Sequence, residues 1–319
     1  MVRRTNLAIL GSTGSIGHQS LDVVATHPEL FGVVLLTANH QWEKLVEQAR
    51  RFKPKYVVIG EKGFYTNVCE ALTDTDIEVY AGADAICQLV QLEEIDTVVV
   101  AIVGYAGLLP TVRAIEAGKR IALANKESLV VAGELVTALV SRYNATLLPM
   151  DSEHSAIFQC LAGEFVEPEK LILTASGGPF RTYTEEQMST ITPADAMAHP
   201  KWNMGAKISV DSATMMNKGF EVIEAHWLFN IPYERIEVLV HPESIIHSMV
   251  QFSDGAIKAQ MGVPDMRIPI QYALTYPYRL NSPSIAYRFG PGESLTFDLP
   301  DYERFPSLSL AVAAGQTGG

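Results

Sequence analysis

The sequence predicts an α/β fold, in which a doubly wound parallel sheet is followed by an α+β domain with an antiparallel sheet. Three observations support this prediction. In residues 1–150, short and almost wholly apolar strands alternate with helical segments, which is typical of a parallel sheet covered on both faces. A glycine-rich turn joins the first strand to the first helix. In the second half, Ser253-Asp254-Gly255 lies between two strand-like runs and predicts a hairpin.

Length and composition fit a globular protein of more than one domain. The chain has 319 residues, of which 48% are hydrophobic and 19% charged. The net charge of -12 argues against nucleic acid or an anionic membrane as the main partner, although a local basic pocket can still hold a phosphate. Cys69, Cys87 and Cys160 share no metal-type spacing and are expected to be reduced. Because neither a signal peptide nor a membrane-spanning run is found, we expect a cytoplasmic protein.

The elements of the first half follow from apolar periodicity and from the turns between them. The predicted strands are 7–10, 33–36, 56–59, 77–80, 97–102, 121–124 and 146–150. The first predicted helix follows the turn 11–17 and continues to 27, and the other predicted helices are 42–52, 63–72, 83–92, 109–117 and 129–140.

The turn after the first strand predicts a nucleotide site. Gly11, Gly14 and Gly17 stand in a strand–turn–helix context, where glycines allow a tight turn, a close approach of a pyrophosphate and close helix packing. The spacing G-x-x-G-x-x-G departs from the dinucleotide fingerprint G-x-G-x-x-G, so a plain turn stays an alternative. The first domain is therefore predicted to be Rossmann-like.

The end of the second strand indicates which dinucleotide binds. An NAD site usually has an acidic residue here that accepts the ribose 2′-hydroxyl. Asn39, His40 and Gln41 stand there instead. Neutral or basic groups suit a 2′-phosphate, so NADPH is predicted; the alternative is a polar loop that binds nothing.

The stretch Pro149-Met150-Asp151-Ser152-Glu153-His154 contains the main candidates for a metal site. Asp151 and Glu153 directly follow a buried strand, and the carboxyl end of a parallel strand is where such sheets bind ligands. Two carboxylates at this place suit Mg²⁺ or Mn²⁺. The alternative is an acidic helix N-terminus. A neighbouring strand end carries Asn125, Lys126 and Glu127, which offer an amide, an ammonium and a carboxylate or else an exposed ion pair.

The second half contains further candidate residues. Ser176-Gly177-Gly178-Pro179 follows the strand 171–175 and fits an anion cradle or a plain turn. The segment from His199 to Gly205, with Trp202, fits a lid or a surface loop. A polar stretch then holds Ser209, Asp211, Ser212, Thr214, Asn217, Lys218, Glu221 and Glu224, and Asn217, Glu221 and Glu224 share one side of a helix.

The last part of the chain is predicted to be mainly sheet and linker. Strands are expected at 236–240, 244–252 and 256–261, and His241 and His247 are expected to be structural. From Asn281 onward Pro, Gly and Ser indicate a linker, and the chain ends in the start of a helix that has no partner.

These stretches together resemble the 1-deoxy-D-xylulose 5-phosphate reductoisomerase family. The matching segments are GSTGSIG, AIVGYAGLLPT, LANKESLV, PMDSEHSAIFQ, TASGGPFR, HPKWNMGAKISVDSATMMNKGFEVIEA, HPESIIHSMV and PDMRIPI. The resemblance implies an NADPH-dependent oxidoreductase that uses Mg²⁺ or Mn²⁺, with Co²⁺ as a further candidate. It would convert 1-deoxy-D-xylulose 5-phosphate to 2-C-methyl-D-erythritol 4-phosphate by skeletal rearrangement and reduction. A homodimer is also implied.

The resemblance also implies residue roles. Asp151, Glu153 and Glu221 would bind the metal, with Glu224 beside it. With Lys126 and Ser152, Glu153 and Glu221 would also contact the reacting end of the substrate. The substrate phosphate would be held by Ser176, Ser212, Asn217 and Lys218, and His199 and Trp202 would lie in a closing loop. NADPH would be bound by Thr13, Gly14, Ser15, Ile16, Asn39, His40, Gln41, Asn125, Glu127 and Gly205.

Two departures from the family accompany the resemblance. His40 stands where members often have Lys or Arg, and the C-terminal helical domain of the family is expected to be missing. The expected division is therefore 1–150 for NADPH, 151–285 for metal and substrate, and 286–319 for a linker and the start of that helical domain. The residues alone leave three alternatives, which are a semialdehyde dehydrogenase, a homoserine dehydrogenase and a non-catalytic NADP sensor. Neither a homoserine dehydrogenase nor a sensor would need Asp151, Glu153 and Glu221.

Overall fold

The computed structural model describes residues 4–198 and 205–318. The strands are β1 Thr5–Leu10, β2 Phe31–Ala38, β3 Tyr56–Ile59, β4 Glu78–Ala81, β5 Thr97–Val100, β6 Arg120–Leu123, β7 Thr146–Pro149, β8 Lys170–Ala175, β9 Ile236–Val240, β10 Ile246–Gln251 and β11 Ile257–Met261. The α-helices are α1 Ser15–Thr26, α2 Trp42–Phe52, α3 Tyr65–Ala71, α4 Ala83–Leu89, α5 Leu108–Glu116, α6 Glu127–Arg142, α7 Ser152–Leu161, α8 Glu185–Met188, α9 Pro193–Met197, α10 Ala206–Ala213, α11 Met216–Phe229, α12 Arg267–Thr275 and α13 Pro306–Thr317. In the described parts of the chain, no helix combines the length and the apolar character needed to cross a bilayer.

The chain divides into two compact units. Unit 1 comprises Met1–Asp151 and Met266–Ser284, and unit 2 comprises Ser152–Asp265 and Ile285–Gly319. The segment Met266–Ser284 thus groups with unit 1, whereas the sequence pattern assigns it to the second domain. The reason is the apolar face of α12, which packs on α1, β6 and β7 within unit 1.

Unit 1 contains a seven-stranded sheet in the order β4-β3-β2-β1-β5-β6-β7, and every neighbouring pair is parallel. All four residues of β3 and of β5 are buried, as expected of strands that are covered on both faces. The strand order reverses between β1 and β5, which is where doubly wound sheets bind ligands. The predicted Rossmann-like sheet is confirmed.

The strand ends on this side of the sheet are aligned by the pairing register. Leu10 pairs with Val100, Val100 with Leu123, and Leu123 with Pro149. The predicted strand 97–102 ends earlier, at Val100, and an irregular segment, 101–103, leads into a 3-10 helix at Gly104–Gly107. The loops that carry the candidate residues of unit 1 therefore leave the sheet at the same level.

Unit 2 contains a four-stranded mixed sheet in the order β11-β10-β8-β9. The expected antiparallel pairing joins β10 to β8 and to β11, and β8 runs parallel to β9. The turn between β10 and β11 is the predicted hairpin, in which Gly255 has a φ of 86° and its N–H donates to Phe252 O. The parallel pair arises because a long helical crossover, which includes α10 and α11, joins β8 to β9.

The final helix corrects one expectation from the sequence. The terminal helix was expected to have no partner, but α13, which begins at Pro306, packs on α11. Leu308 and Ala311 of α13 are buried in this contact. The apolar periodicity of the segment did not reveal the contact, because small residues such as Gly219 and Ala311 lie at its tightest point.

Candidate functional site

The glycine turn after β1 is as tight as its sequence predicts. Gly11 has a φ of 79°, and a Cβ there would lie 2.7 Å from the carbonyl oxygen of Ala101, just past β5. A Cβ on Gly17 would lie 2.3 Å from Gly11 O. Both glycines are therefore required by the backbone, and they hold the start of α1 against the turn at the point where the strand order reverses.

The turn presents backbone N–H groups and has no competing acidic side chain. Helix α1 begins after Gly14, with no side-chain cap and no acidic residue in its first turn. Ser12 ties the turn to β2, because its N–H donates to Thr37 O at 2.8 Å and its hydroxyl bonds Gln48 Oε1 at 2.7 Å. Gly14 and Ser15 are exposed, and Thr13 and Ile16 are half-buried. The uncapped N-terminus thus fits a pyrophosphate.

Asn125 mainly joins loops inside unit 1. Its amide donates to Ile102 O at 2.8 Å and to Gly104 O at 2.9 Å, and its carbonyl oxygen accepts from the N–H of Ser128 at 3.1 Å. Glu127 accepts a further hydrogen bond from the same amide at 3.1 Å. These bonds join the loop after β5 to the start of α6, and a contact of Asn125 with a cofactor stays a prediction.

Lys126 and Asp151 form an ion pair at the aligned ends of β6 and β7. The Nζ atom of Lys126 lies 2.5 Å from Asp151 Oδ2, and the two side chains are 8% and 12% exposed. The pair follows from the register, since Leu123 and Pro149 are neighbours and each residue lies just beyond its strand. It is more buried than the exposed ion pair that was the alternative for Lys126.

Unit 2 contains a second charged cluster, centred on Lys218 of α11. Its ammonium lies 2.6 Å from Glu153 Oε1 on α7, and it also bonds the carboxylate of Glu221. One carboxylate oxygen each from Glu153 and Glu221 lie within 4.8 Å of one another. Two carboxylates from different helices thus face one cation, and a donor set of hard oxygens at this spacing fits a divalent metal ion.

The surroundings of Lys218 keep it charged. Burial alone would lower its pKa, but the carboxylates of Glu153 and Glu221 outweigh burial and hold the pKa above its ordinary value. Neighbouring side chains orient the carboxylates in turn. Asn217 donates to Glu221 Oε1 at 2.5 Å, and the hydroxyl of Ser152 bonds Glu153. The predicted sharing of one helix side by Asn217 and Glu221 is borne out by this bond.

His154, which had no predicted role, is fully buried beside the cluster. Its Nε2 lies 2.8 Å from the carbonyl oxygen of Glu221, and its Nδ1 lies 3.3 Å from the carboxylate of Glu224. The ring stacks on Phe229 with centroids 6.4 Å apart. A polar residue that follows Glu153 on the helix was the only available signal, and it does not distinguish a buried histidine from an exposed one.

The predicted phosphate residues lie in two neighbouring segments of unit 2. The turn after β8 packs against the end of α10, since a Cβ on Gly178 would lie 2.7 Å from the carbonyl oxygen of Ser212. Ser176 and Ser212 are both half-buried. His199 and Trp202 lie outside the described residues, and Gly205, the N-cap of α10, is exposed.

Both histidines that were expected to be structural lie in the interior of unit 2. His241 Nε2 accepts from the N–H groups of Ile245 and Ile246, each at 3.1 Å, and its Nδ1 lies 2.9 Å from Thr296 O. His247 is buried as well, and burial lowers its pKa to about 4.

The depressed pKa of His247 predicts a pH dependence of stability. At pH values between the ordinary pKa of 6.5 and the folded value of about 4, His247 is protonated in the unfolded chain but neutral in the folded chain. The free energy of unfolding is therefore unaffected by His247 above its ordinary pKa and decreases as the pH falls below it. Between pH 7.5 and 5 the loss should be about 2 kcal/mol.

Denaturant unfolding at the two pH values measures this loss, with His247→Gln as the comparison. Between the two pH values, the unmodified chain should lose about 2 kcal/mol more unfolding free energy than His247→Gln. The matched control is His18→Gln, because the side chain of His18 is 66% exposed. An equal pH dependence in all three proteins would contradict the prediction.

Family models match three segments of the chain. Family profiles described as 1-deoxy-D-xylulose 5-phosphate reductoisomerase match residues 7–133, its C-terminal domain matches 147–229, and a DXP reductoisomerase C-terminal domain matches 261–319. The 1-deoxy-D-xylulose 5-phosphate reductoisomerase of Bacteroides fragilis is 59% identical over the whole chain and 82% of the relative. The protein of that name from Clostridium botulinum is 51% identical over 98% of this chain and 82% of its own length.

Solved structures give the same result. The 1-deoxy-D-xylulose 5-phosphate reductoisomerase of Zymomonas mobilis, solved in complex with NADPH, superposes with a TM-score of 0.92 at 46% identity, over 99% of this chain and 82% of that one. A DOX-P reductoisomerase in complex with NADPH, fosmidomycin and magnesium superposes with a TM-score of 0.95 at 42% identity, over 98% of this chain and 80% of that one.

Proposed function

Because the chain belongs to the 1-deoxy-D-xylulose 5-phosphate reductoisomerase family, we propose that Asp151, Glu153 and Glu221 hold the divalent metal ion of this reaction. The protein is an NADPH- and metal-dependent oxidoreductase that converts 1-deoxy-D-xylulose 5-phosphate to 2-C-methyl-D-erythritol 4-phosphate in isoprenoid precursor synthesis. The observation that carries the assignment is the convergence of Glu153 and Glu221 on one cation. Asp151 stands two positions before Glu153 in the chain, which supports its place in the same set.

The side chains near the proposed metal site hold, orient and neutralise its carboxylates. When bound, the metal ion polarises the substrate carbonyl, and NADPH supplies the hydride. Lys218 fixes the two carboxylates of unit 2, and Asn217 orients Glu221. Lys126 holds the carboxylate of Asp151, and it would act at the reacting end of the substrate.

The phosphate of the substrate is proposed to bind Ser176, Ser212, Asn217 and Lys218. The packing of the Ser176 turn against Ser212 supports this set, as does the charge of Lys218. One ammonium can serve both the carboxylates and a phosphate, since it has three donors. The closing role of His199 and Trp202 stays a proposal from the sequence.

NADPH is proposed to bind at the glycine turn and at the end of β2. The uncapped start of α1 would receive the pyrophosphate through Thr13, Gly14, Ser15 and Ile16. Asn39, His40 and Gln41 would receive the ribose 2′-phosphate, and Asn125, Glu127 and Gly205 would complete the site.

The direct test is an assay of NADPH oxidation with 1-deoxy-D-xylulose 5-phosphate. Oxidation should require Mg²⁺ or Mn²⁺ and should stop when a chelator is added. NADPH binding without metal-dependent turnover would instead identify a non-catalytic sensor. Gel filtration and cell fractionation test the remaining proposals, which are a homodimer and a cytoplasmic location.

The identity of residue 40 should affect the choice between NADPH and NADH. His40 is exposed directly after β2, and a carboxylate there would repel a 2′-phosphate. His40→Asp should therefore weaken NADPH binding about tenfold or more while NADH binding changes little. Titrations with NADPH and with NADH measure both affinities. The matched control is His40→Asn, because asparagine has nearly the same shape as aspartate but carries no charge. If His40→Asp and His40→Asn bind NADPH equally, the assignment of the 2′-phosphate to this loop is wrong.

A further inference from the structure

Helix α11 contacts α13 at Gly219, where there is no room for a side chain. A Cβ on Gly219 would lie 2.4 Å from the Cβ of Ala311, 3.6 Å from Ser307 O and 3.8 Å from the Cα of Leu308. Real Cβ atoms do not approach a methyl group so closely. The two helices can therefore reach their present separation only because residue 219 is glycine.

A second contact holds the other end of α11 to α13 through an aromatic ring. His226 of α11 stacks on Tyr233, with ring centroids 4.4 Å apart. A Cβ on Gly315 of α13 would lie 2.5 Å from the hydroxyl oxygen of Tyr233. Helix α11 is thus held by α13 at two places along its length, with a glycine at each.

The interface between these contacts is close-packed and buried. Val222 and Ala225 of α11 lie in one hydrophobic cluster with Leu308 of α13 and with Phe305 just before it. Gly219 and Ala311 are buried as well. A close-packed interior transmits displacement rather than absorbing it, so an extra methyl group here should move α11 as a body.

We propose that Gly219 is a positioning residue that sets, through its contact with Ala311 of α13, where α11 presents Glu221 and Lys218 to Glu153 of α7. Glu221 lies two positions after Gly219 on the same helix, and Lys218 directly precedes it. Metal–oxygen distances tolerate changes of only about 0.2 Å. The inference rests on the proposed function, because it takes Glu153 and Glu221 to be metal ligands.

The test is a cycle of Gly219→Ala, Ala311→Gly and the double variant in the 319-residue chain. The first substitution adds a methyl group to the contact, and the second removes the one it meets. Mn²⁺ binding, measured by calorimetry, should weaken about tenfold in Gly219→Ala and should return to near the unmodified value in the double variant. NADPH binding should stay within twofold throughout, because all of its proposed contacts except Gly205 lie in unit 1 and none of them lies on α11 or α13.

Ala311→Gly alone separates positioning from stability. Glycine in a helix lowers the melting temperature, but this variant should keep its Mn²⁺ affinity because it leaves α11 in place. A purely structural role for Gly219 predicts instead that Mn²⁺ affinity follows melting temperature across the set. If Gly219→Ala does not fold, Ala311→Val offers the same clash from α13 and should weaken Mn²⁺ binding in the same way.

Glu221→Gln distinguishes a failure of this inference from a failure of the proposed function. If Glu221→Gln weakens Mn²⁺ binding and neither Gly219→Ala nor Ala311→Val does, only the positioning role is wrong. If Glu221→Gln binds Mn²⁺ as tightly as the unmodified chain, the metal assignment fails and the positioning role fails with it.

Discussion

Replacing Glu221 by Gln should reduce turnover about a thousandfold. The amide nearly keeps the shape of the side chain but removes one negative charge from the three carboxylates that are proposed to hold the metal ion. A metal ion contributes several kcal/mol to stabilising a transition state, and each 1.4 kcal/mol is tenfold in rate. The fold should survive, because Lys218 keeps its bond to Glu153. Steady-state assays at increasing Mn²⁺ concentration measure the effect, and excess metal should recover part of the rate.

The matched control is Glu237→Gln, which removes a carboxylate from a half-exposed pair with Lys170 on the surface of unit 2. It should leave turnover and metal dependence unchanged. NADPH affinity should stay within a few-fold in both variants, since the glycine turn lies in unit 1. Near-normal turnover of Glu221→Gln with ordinary metal dependence would contradict the assignment.

Lys218→Gln should impair both stability and turnover. The ammonium of Lys218 is 4% exposed and neutralises two carboxylates, and its raised pKa reflects their attraction. Without it, Glu153 and the almost fully buried Glu221 repel one another across less than 4.8 Å. Breaking a buried ion pair from one side costs about 3–5 kcal/mol. Denaturant unfolding in a metal-free buffer should show a loss of this order.

Added Mn²⁺ should stabilise Lys218→Gln more than the unmodified chain. A divalent ion provides positive charge for the same two carboxylates, and in the variant it no longer competes with an ammonium for them. Turnover should nevertheless stay low, because the proposed phosphate contact of Lys218 is lost. The control is Lys170→Gln, whose half-exposed pair is worth at most about 1 kcal/mol. Equal Mn²⁺ stabilisation of Lys218→Gln and the unmodified chain would show that Lys218 and the metal ion do not share these carboxylates.

The parts of the fold that the sequence predicted well depend on local signals. The strands and helices of 1–150 follow from apolar periodicity and turn residues, and Gly11 and Gly17 occupy the backbone positions that the motif requires. Asp151 and Lys126 were predicted to follow strands, and the parallel register places them together. Neighbouring residues in the chain were sufficient for each of these predictions.

The sequence could not show which distant residues would meet. Glu153 and Lys218 are 65 positions apart, and their contact depends on how α7 and α11 pack. The burial of His154 against Glu221 has the same origin. The return of α12 to unit 1 was likewise not predicted, because it depends on packing against α1, β6 and β7. The docking of α13 on α11 was not predicted either, because the small residues Gly219 and Ala311 leave no strong apolar pattern.

The sequence by itself determined the class of the fold, the glycine turn, the family and the chemical kinds of side chain at the site. These depend on backbone preferences and on apolar spacing, which act over a few residues. Only the tertiary structure decided that Lys218 lies between Glu153 and Glu221, and that Gly219 fixes the distance from α11 to α13. Such contacts depend on close packing between segments far apart in the chain, where a single methyl group changes which arrangement fits.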